Sequence, residues 1–162
     1  MKVTVRRATK TDAKAIERFA QNLARQHQSY DSQRFAWLDG FDNAASFYGS
    51  QVDKNDVAIL VAEQKSEVVG FTYLGFEKIN YVDLIENAVY IYDLYVDETA
   101  RGEGAGKMLL DEAIKIARSF GANKVVLSVA AKNEIAQNLF ERRGFYTTML
   151  EMMLDLTESD TN

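Results

Sequence analysis

The spacing of apolar side chains changes period several times along the chain, and each change marks an element. "KVTVRRA" alternates as a short strand does, and Ile16, Phe19, Ala20 and Leu23 then recur at the spacing of an amphipathic helix over "DAKAIERFAQNLARQ", which Thr11 is placed to cap. The stretch "SYDSQRFAWLDGFDNAASFYGSQVDKND" is rich in aromatics and acids but weak in period, so one or two short helices within loops are expected there. "VAILVAEQ" and "EVVGFTYLGFE" are strands around the turn Lys65-Ser66, a hairpin, and "NAVYIYDLYV" is a third long strand. "KMLLDEAIKIARSFGA" is an amphipathic helix stopped by Gly121. "KVVLSVA" lacks polar alternation and is expected in the middle of the sheet. "NEIAQNLFERRG" is a further helix, and "FYTTMLEMMLDL" a last strand ahead of a polar tail from about residue 157.

The order β-α-(α)-β-β-β-α-β-α-β predicts a mixed α/β sheet. Its hairpins are antiparallel, and only the strand-helix-strand step through residues 105–120 demands a parallel pair. No repeat or linker divides residues 1–162, so one domain is expected. The last strand is long and apolar, and it is either internal or an exposed edge available to a homodimer.

Composition narrows the function. With 24 acidic and 19 basic residues intermixed and a net charge of -5, no basic face for nucleic acid is expected. No apolar run approaches the roughly 20 residues of a membrane span, and the start of the chain lacks a run of signal-peptide length, so a cytosolic protein is expected. Cysteine is absent, which removes disulfides, thiolate nucleophiles and cysteine-ligated metal. The only histidine, His27, lies near a helix end, where a dipole or solvent-facing role is the simplest reading; no metal site is expected.

The chemistry gathers in "DETARGEGAGKMLL". Gly102, Gly104 and Gly106 stand at alternate positions between a strand and a helix, where backbone N–H groups and the helix dipole favour a phosphate. An ATP-binding P-loop needs glycine where Arg101 stands and Ser or Thr where Met108 stands. A dinucleotide fingerprint starting at Gly102 needs its third glycine at Lys107. What fits is R-x-x-G-x-G, Arg101 to Gly106, after "YDLYV".

Here the sequence resembles the GNAT acetyltransferase superfamily. "KNEIAQNLFERRGF" is similar to that family's second signature, with Asn133, Ala136, Phe140, Gly144 and Phe145 at its positions. The resemblance implies a mostly antiparallel mixed sheet with a central splayed parallel pair flanked by helices, and acetyl-CoA as acyl donor. It places the pyrophosphate over Arg101, Gly102, Glu103, Gly104, Ala105, Gly106 and Lys107, and the pantetheine arm along the backbone of Leu94, Tyr95 and Val96. Asn133 and Phe140 are carried over as cofactor contacts, although Asn133 is equally an N-cap.

Amine acetylation needs a neutral amine, a stabilised oxyanion and a protonated leaving thiolate, with no covalent enzyme intermediate. The resemblance implies an oxyanion donor among the N–H groups near Leu94. It also exposes departures: Phe140 stands where many members carry a thiolate-protonating tyrosine, and Tyr92 where polyamine-acetylating members carry a glutamate. Asp93 is the nearest carboxylate, but strand alternation points it away from Tyr92 unless a bulge intervenes. The catalytic candidates are Asp93 and Tyr92, with a water-relayed base lined by Tyr92 or Tyr73 as the alternative. The acceptor, a small-molecule or peptide amine, is expected against residues 28–53 with Tyr30 and Trp37, and against Tyr73; aromatics among carboxylates suit a cation. The same residues also suit a short helix packing on a sheet with its acids in water. A binding module that recognises acyl-CoA without efficient catalysis is the competing reading.

Overall fold

The computed structural model describes residues 2–36 and 43–157. In chain order the elements are β1 (Thr4–Arg7), α1 (Ala13–Tyr30), α2 (Ala44–Gln51), β2 (Val57–Gln64), β3 (Glu67–Asn80), β4 (Ile85–Val96), α3 (Ala105–Ser119), β5 (Lys124–Leu127) and α4 (Glu134–Arg142). The strands form one sheet in sequence order, antiparallel at each step except β4–β5, which is parallel and joined through α3.

Each side of the sheet carries its own core. Alternate residues of β2 divide between them, which is why "VAILVA" is apolar without a break: Ala58, Leu60 and Ala62 face α3, while Ile59 and Val61 face α1. On the α3 side, Leu74, Val89 and Ile91 pack against Leu109, Leu110, Ala113 and, from α4, Phe140. On the other side, Ile16, Phe19 and Ala20 of α1 and Tyr48 of α2 cover Phe71 and Tyr95. The β2–β3 turn falls on Lys65 and Ser66, both at positive φ (52° and 66°), the pair of left-handed residues that matches strand twist in a two-residue hairpin.

Three expectations are corrected. α1 does not start from Thr11: a 3-10 turn, Lys10–Asp12, precedes it, and the buried Asp12 carboxylate accepts from the Thr9 N–H at 2.8 Å. Arg6 forks onto that carboxylate at 2.8 and 3.0 Å and reaches Glu63 at 2.7 Å, tying β1, α1 and β2 together. These bonds from Arg6 hold Asp12 below the usual carboxylate range. Second, β5 is the outermost strand among the described residues, not a middle one. Third, residues 145–156 form no strand, because no neighbouring strand takes up their backbone groups.

A side chain at Gly70 has no room: its Cβ would lie 2.6 Å from the Tyr95 carbonyl oxygen and 3.2 Å from Val96 Cα, both backbone atoms of β4. Gly70→Ala is expected to cost about 1–3 kcal/mol in urea unfolding. Gly49→Ala, within α2 and 3.8 Å from only Ala13 Cβ, is expected to be neutral or stabilising by up to about 1 kcal/mol.

Candidate active site

The β4–β5 ladder is short. Ala88 to Ile91 pair with Lys124 to Leu127, and there the pairing stops while β4 runs on to Val96. At the same point β4 bulges on its other side: Tyr73 pairs with Asp93 and Leu74 with Ile91, so Tyr92 is the extra residue. The bulge resets the alternation. Tyr92 stacks beside Tyr73 and Tyr90, with centroids 5.0 and 6.3 Å away, and Asp93 also turns to the α1–α2 side, where it meets Tyr48. The condition set by strand alternation is met, and Asp93 and Tyr92 share a face.

Beyond the bulge the Asp97 N–H bonds to Val69 on β3, so alternation turns the N–H and C=O groups of Leu94 and Val96 toward the gap left by β5. Their side chains pack on the α3 side and Tyr95 is buried against Phe19, leaving only backbone to present to a ligand. A cavity of about 280 Å³ lies at the apex of the gap, lined by Ile91, Tyr92, Leu127 and Ser128 among others.

The glycine loop follows directly. Gly102 and Gly104 sit at φ +83° and +88°, and a Cβ on either would meet nothing within 4 Å, so backbone conformation and not crowding requires glycine there. Gly106 is different. It is helical, and a Cβ would touch Leu139 and Val96 at ordinary contact distances of 3.6 and 3.7 Å. The first bond of α3 runs from the Met108 N–H to the Gly104 carbonyl, so the N–H groups of Ala105, Gly106 and Lys107 point out of the helix end without helical acceptors. Arg101 folds back across the end of β4, donating to the Val96 carbonyl at 3.1 Å and to Gln26 at 3.2 Å with its guanidinium over Tyr95, while Lys107 pairs with Asp111 at 3.0 Å. Glu103 accepts from Gln64.

α4 shows why the second signature has its form. Asn133 is the N-cap, its Oδ1 accepting from the Ala136 N–H at 3.1 Å. Gly144 at φ +93° ends the helix in a Schellman motif: Phe145 N–H bonds to the Phe140 carbonyl and Gly144 N–H to that of Glu141. The Phe140 and Phe145 rings, 5.8 Å apart, supply the hydrophobic contact that accompanies such a stop. Phe140 is therefore buried for packing and brings no hydroxyl to the gap.

Beside Asp93 an aromatic wall runs along the α1–α2 side of β3 and β4. Tyr48 donates to Asp93 Oδ2 at 2.7 Å, Tyr73 lies 5.8 Å from Tyr48, and Tyr92 donates to Glu77 at 2.8 Å. Tyr92 lies flat over Gly75, where a Cβ would stand 2.9 Å from its ring. Burial raises the Asp93 carboxyl above its usual value, an effect the Tyr48 hydrogen bond opposes. Burial also raises the Tyr48, Tyr73 and Tyr92 hydroxyls, with neighbouring carboxylates adding to the effect.

Of the acceptor-side residues expected from sequence, Tyr73 belongs to this wall. Tyr30 does not: it ends α1, its hydroxyl held by Gln26 at 2.6 Å and its ring near His27. Trp37 lies outside the described residues. His27, in the last turn of α1, is half buried with its ring tilted against Phe35 at 4.8 Å, and burial lowers its pKa, where a dipole or solvent-facing role was expected. Glu77 was missed, because only the β3–β4 register brings it to Tyr92. Its one local signal is the glycine in "YLGFE", a strand position kept flat for a ring. Among the described residues no group of three or more His, Cys, Asp or Glu side chains is placed to hold a metal, and no helix is long and apolar enough to cross a membrane.

A strand gap followed by a positive-φ glycine turn at a helix start suits an extended ligand carrying phosphates. The sequence profile of the Acetyltransferase (GNAT) family matches residues 16–145, and the chain belongs to that family. It is 30% identical over 145 residues to the uncharacterized N-acetyltransferase YhfO of Bacillus subtilis, covering 88% of this chain and 89% of that one. Its fold is similar to that of a mutant BH1408 protein from Bacillus halodurans (TM-score 0.82, 22% identity, 94% and 99% of the two chains). It also resembles the aminoglycoside acetyltransferase AAC(6')-Iy, solved with a bisubstrate analogue, CoA-S-monomethyl-acetylneamine (0.76, 17%, 96% and 98%). The protein is an N-acetyltransferase with acetyl-CoA as donor.

The two kinds of glycine can be separated by calorimetric titration of acetyl-CoA. Gly104→Ala strains a left-handed position by about 1–2 kcal/mol and is expected to weaken binding about tenfold if the loop shifts to relieve it. Gly106→Ala, with room for its methyl group, is expected to change affinity by less than about threefold.

Proposed function

We propose that the chain, acting as one cytoplasmic acetyltransferase domain and as a homodimer, transfers acetyl directly to a primary amine of a small molecule or peptide, with Asp93 as general base. The observation that carries this reading is the bulge at Tyr92. It aims a half-buried carboxylate at the face lined by Tyr73 and Tyr92, next to the point where β4 leaves β5.

Acetyl-CoA supplies the activated acyl group and a thiolate leaving group. The outward N–H groups of Ala105, Gly106 and Lys107 suit its pyrophosphate, and the open space above Gly102 and Gly104 lets it approach. The Lys107 ammonium, largely exposed beside Asp111, adds charge, and Arg101 would have to leave the Val96 carbonyl or act from where it lies. Leu94 and Val96 offer backbone groups to the pantetheine amides, and the Leu94 N–H serves as the oxyanion donor in this reading. Asn133 keeps its side-chain N–H groups for the cofactor while its oxygen caps α4.

An amine reaches neutral pH as ammonium and must lose a proton before it attacks. Asp93 accepts that proton: Tyr48 occupies Oδ2, and Oδ1 is the oxygen that would receive it. A raised pKa brings the carboxyl closer to the operating pH, which favours a general base. The aromatic wall with Glu77 and Asp93 suits a cationic acceptor. The thiolate leaves with solvent help, because Phe140 carries no proton.

Thiol release from acetyl-CoA is to be followed with polyamines, amino acids, aminoglycosides and short peptides as acceptors. Acceptor-dependent release is expected; tight acetyl-CoA binding with no turnover in either the native chain or Phe140→Tyr would favour the non-catalytic module. For the base, Asp93→Asn is expected to lower kcat about 10²- to 10⁴-fold and to erase the acidic limb of the kcat/KM profile. Tyr48→Phe removes a hydrogen bond that lowers the Asp93 pKa, so that limb is expected to move to higher pH. An Asp93→Asn enzyme with native rate and profile would leave Asp93 a structural group.

A further inference from the structure

The tyrosine-lined face does not end at Asp93. Back along β4 it continues through Tyr92 to Tyr90, whose rings lie nearly parallel, 13° apart in tilt and 6.3 Å between centroids. Past Tyr90 stands the turn between β3 and β4, and the cavity of about 280 Å³ at the gap extends that far: Asp83 of the turn, Tyr90 and Tyr92 line it together with Val126 of β5 and Ser128. Acyl transfer at Asp93 uses only the Tyr92 end of this cavity.

Its polar groups are set in pairs. Tyr90 donates to Asp83 Oδ2 at 2.8 Å and Tyr92 to Glu77 Oε1 at 2.8 Å, as Tyr48 does to Asp93. Asn80 fixes the outer two carboxylates: its Nδ2 donates to Glu77 Oε2 at 2.8 Å, and its Oδ1 accepts from the N–H groups of Val82 and Asp83 at 3.0 and 2.9 Å. Burial and the hydrogen bond to Asp83 push the Tyr90 hydroxyl up to about 12, so it donates as a neutral group and leaves the charge of its partner whole. Elsewhere in the fold carboxylates are met by cations, Asp12 and Glu63 by Arg6 and Asp111 by Lys107 and Arg143. Among the described residues no lysine or arginine pairs in this way with Glu77, Asp83 or Asp93. Ring faces and uncompensated negative charge around a concave space are what a cation recognises, and the rings also give apolar walls on which methylenes can lie.

We propose that the Tyr90 and Asp83 end of this cavity is a subsite for a second cationic group of the acceptor, and that the acceptor is an extended diamine: one amine at Asp93, the other at Asp83, the methylenes across Tyr92. The proposal rests on the amine-acceptor reading above, with Asp93 as base, and names its substrate class. Tyr90 precedes Asp93 by three strand residues, which sets the two amines about 7–10 Å apart, the span of about five or six methylenes. An α-amino acid would bring its own carboxylate onto the same acidic face and is disfavoured.

Cadaverine and pentylamine share one chain length and differ in the second amine. With acetyl-CoA as donor, kcat/KM for cadaverine is expected to exceed that for pentylamine about tenfold or more. Asp83→Asn, on an exposed turn, is expected to shrink that ratio about three- to fivefold, through the KM of the diamine. A merely structural effect would lower both rates and leave the ratio alone. Binding is read without turnover by titrating each amine into the complex with coenzyme A and following the amide resonances of Asp83 and Tyr90, which cadaverine is expected to shift and pentylamine to leave in place. Equal kcat/KM for the two amines, or a ratio that Asp83→Asn does not change, would overturn the subsite and leave the acetyltransferase reading standing. Cadaverine that shifts Asp83 and Tyr90 but is never acetylated would overturn the acceptor reading and leave a cation site without a reaction. Neither acetylation nor a shift at Asp83 and Tyr90 would overturn the subsite outright.

Discussion

One extra residue in a strand organises this molecule. Tyr92 has no opposite number on β3, and the bulge it creates turns Tyr92, Asp93 and Tyr95 to the same side of the sheet while β5 stops pairing at the same level. A regular β4 would carry Asp93 into the core against α3, where an ionised carboxylate has no partner. With the bulge, Asp93 meets Tyr48, and the backbone of Leu94 and Val96 faces a gap. The proposed base, the proposed acyl site and the gap therefore share one cause.

The surroundings serve that geometry. Gly70 lets β3 run close under β4, and Gly75 leaves a flat floor for the Tyr92 ring. The buried α3 side of the sheet, with Leu109, Leu110 and Ala113 packed beneath, fixes the helix whose first N–H groups form the end of the gap. α4 supports the same core through Phe140 and Phe145, so a signature that reads as chemistry is here a helix stop. On the opposite, tyrosine-lined side, Tyr48 is paired with Asp93 and Tyr92 with Glu77, and it is there that we place the proton chemistry.

Much of this was legible in the sequence, for physical reasons that differ by residue. Period gave the element order and the buried face of α1, since Ile16, Phe19 and Ala20 must recur on one side of a helix. The glycines at 102, 104 and 106 marked the loop ahead of α3 as a candidate phosphate site, but only the backbone angles separate 102 and 104, at positive φ, from the helical 106. The bulge could be stated only as a condition: an extra residue in a ladder has no local signature, and register is set by strands far apart in sequence. For the same reason Glu77 was invisible, and Tyr48 was one aromatic among several. The last strand was readable as a pattern, but alternation tells nothing of where its partner lies, and β5 was misplaced because an apolar run reports burial on two faces without saying what covers the second.

The backbone of β4 beyond the bulge, together with the glycine turn, is where we propose that the acyl donor binds. Amide ¹⁵N–¹H resonances followed during an acetyl-CoA titration test it most directly. The largest shifts are expected at Leu94, Val96 and Gly102 to Lys107, with smaller ones at Asn133. Saturable binding whose shifts avoid Leu94 and Val96 would contradict it.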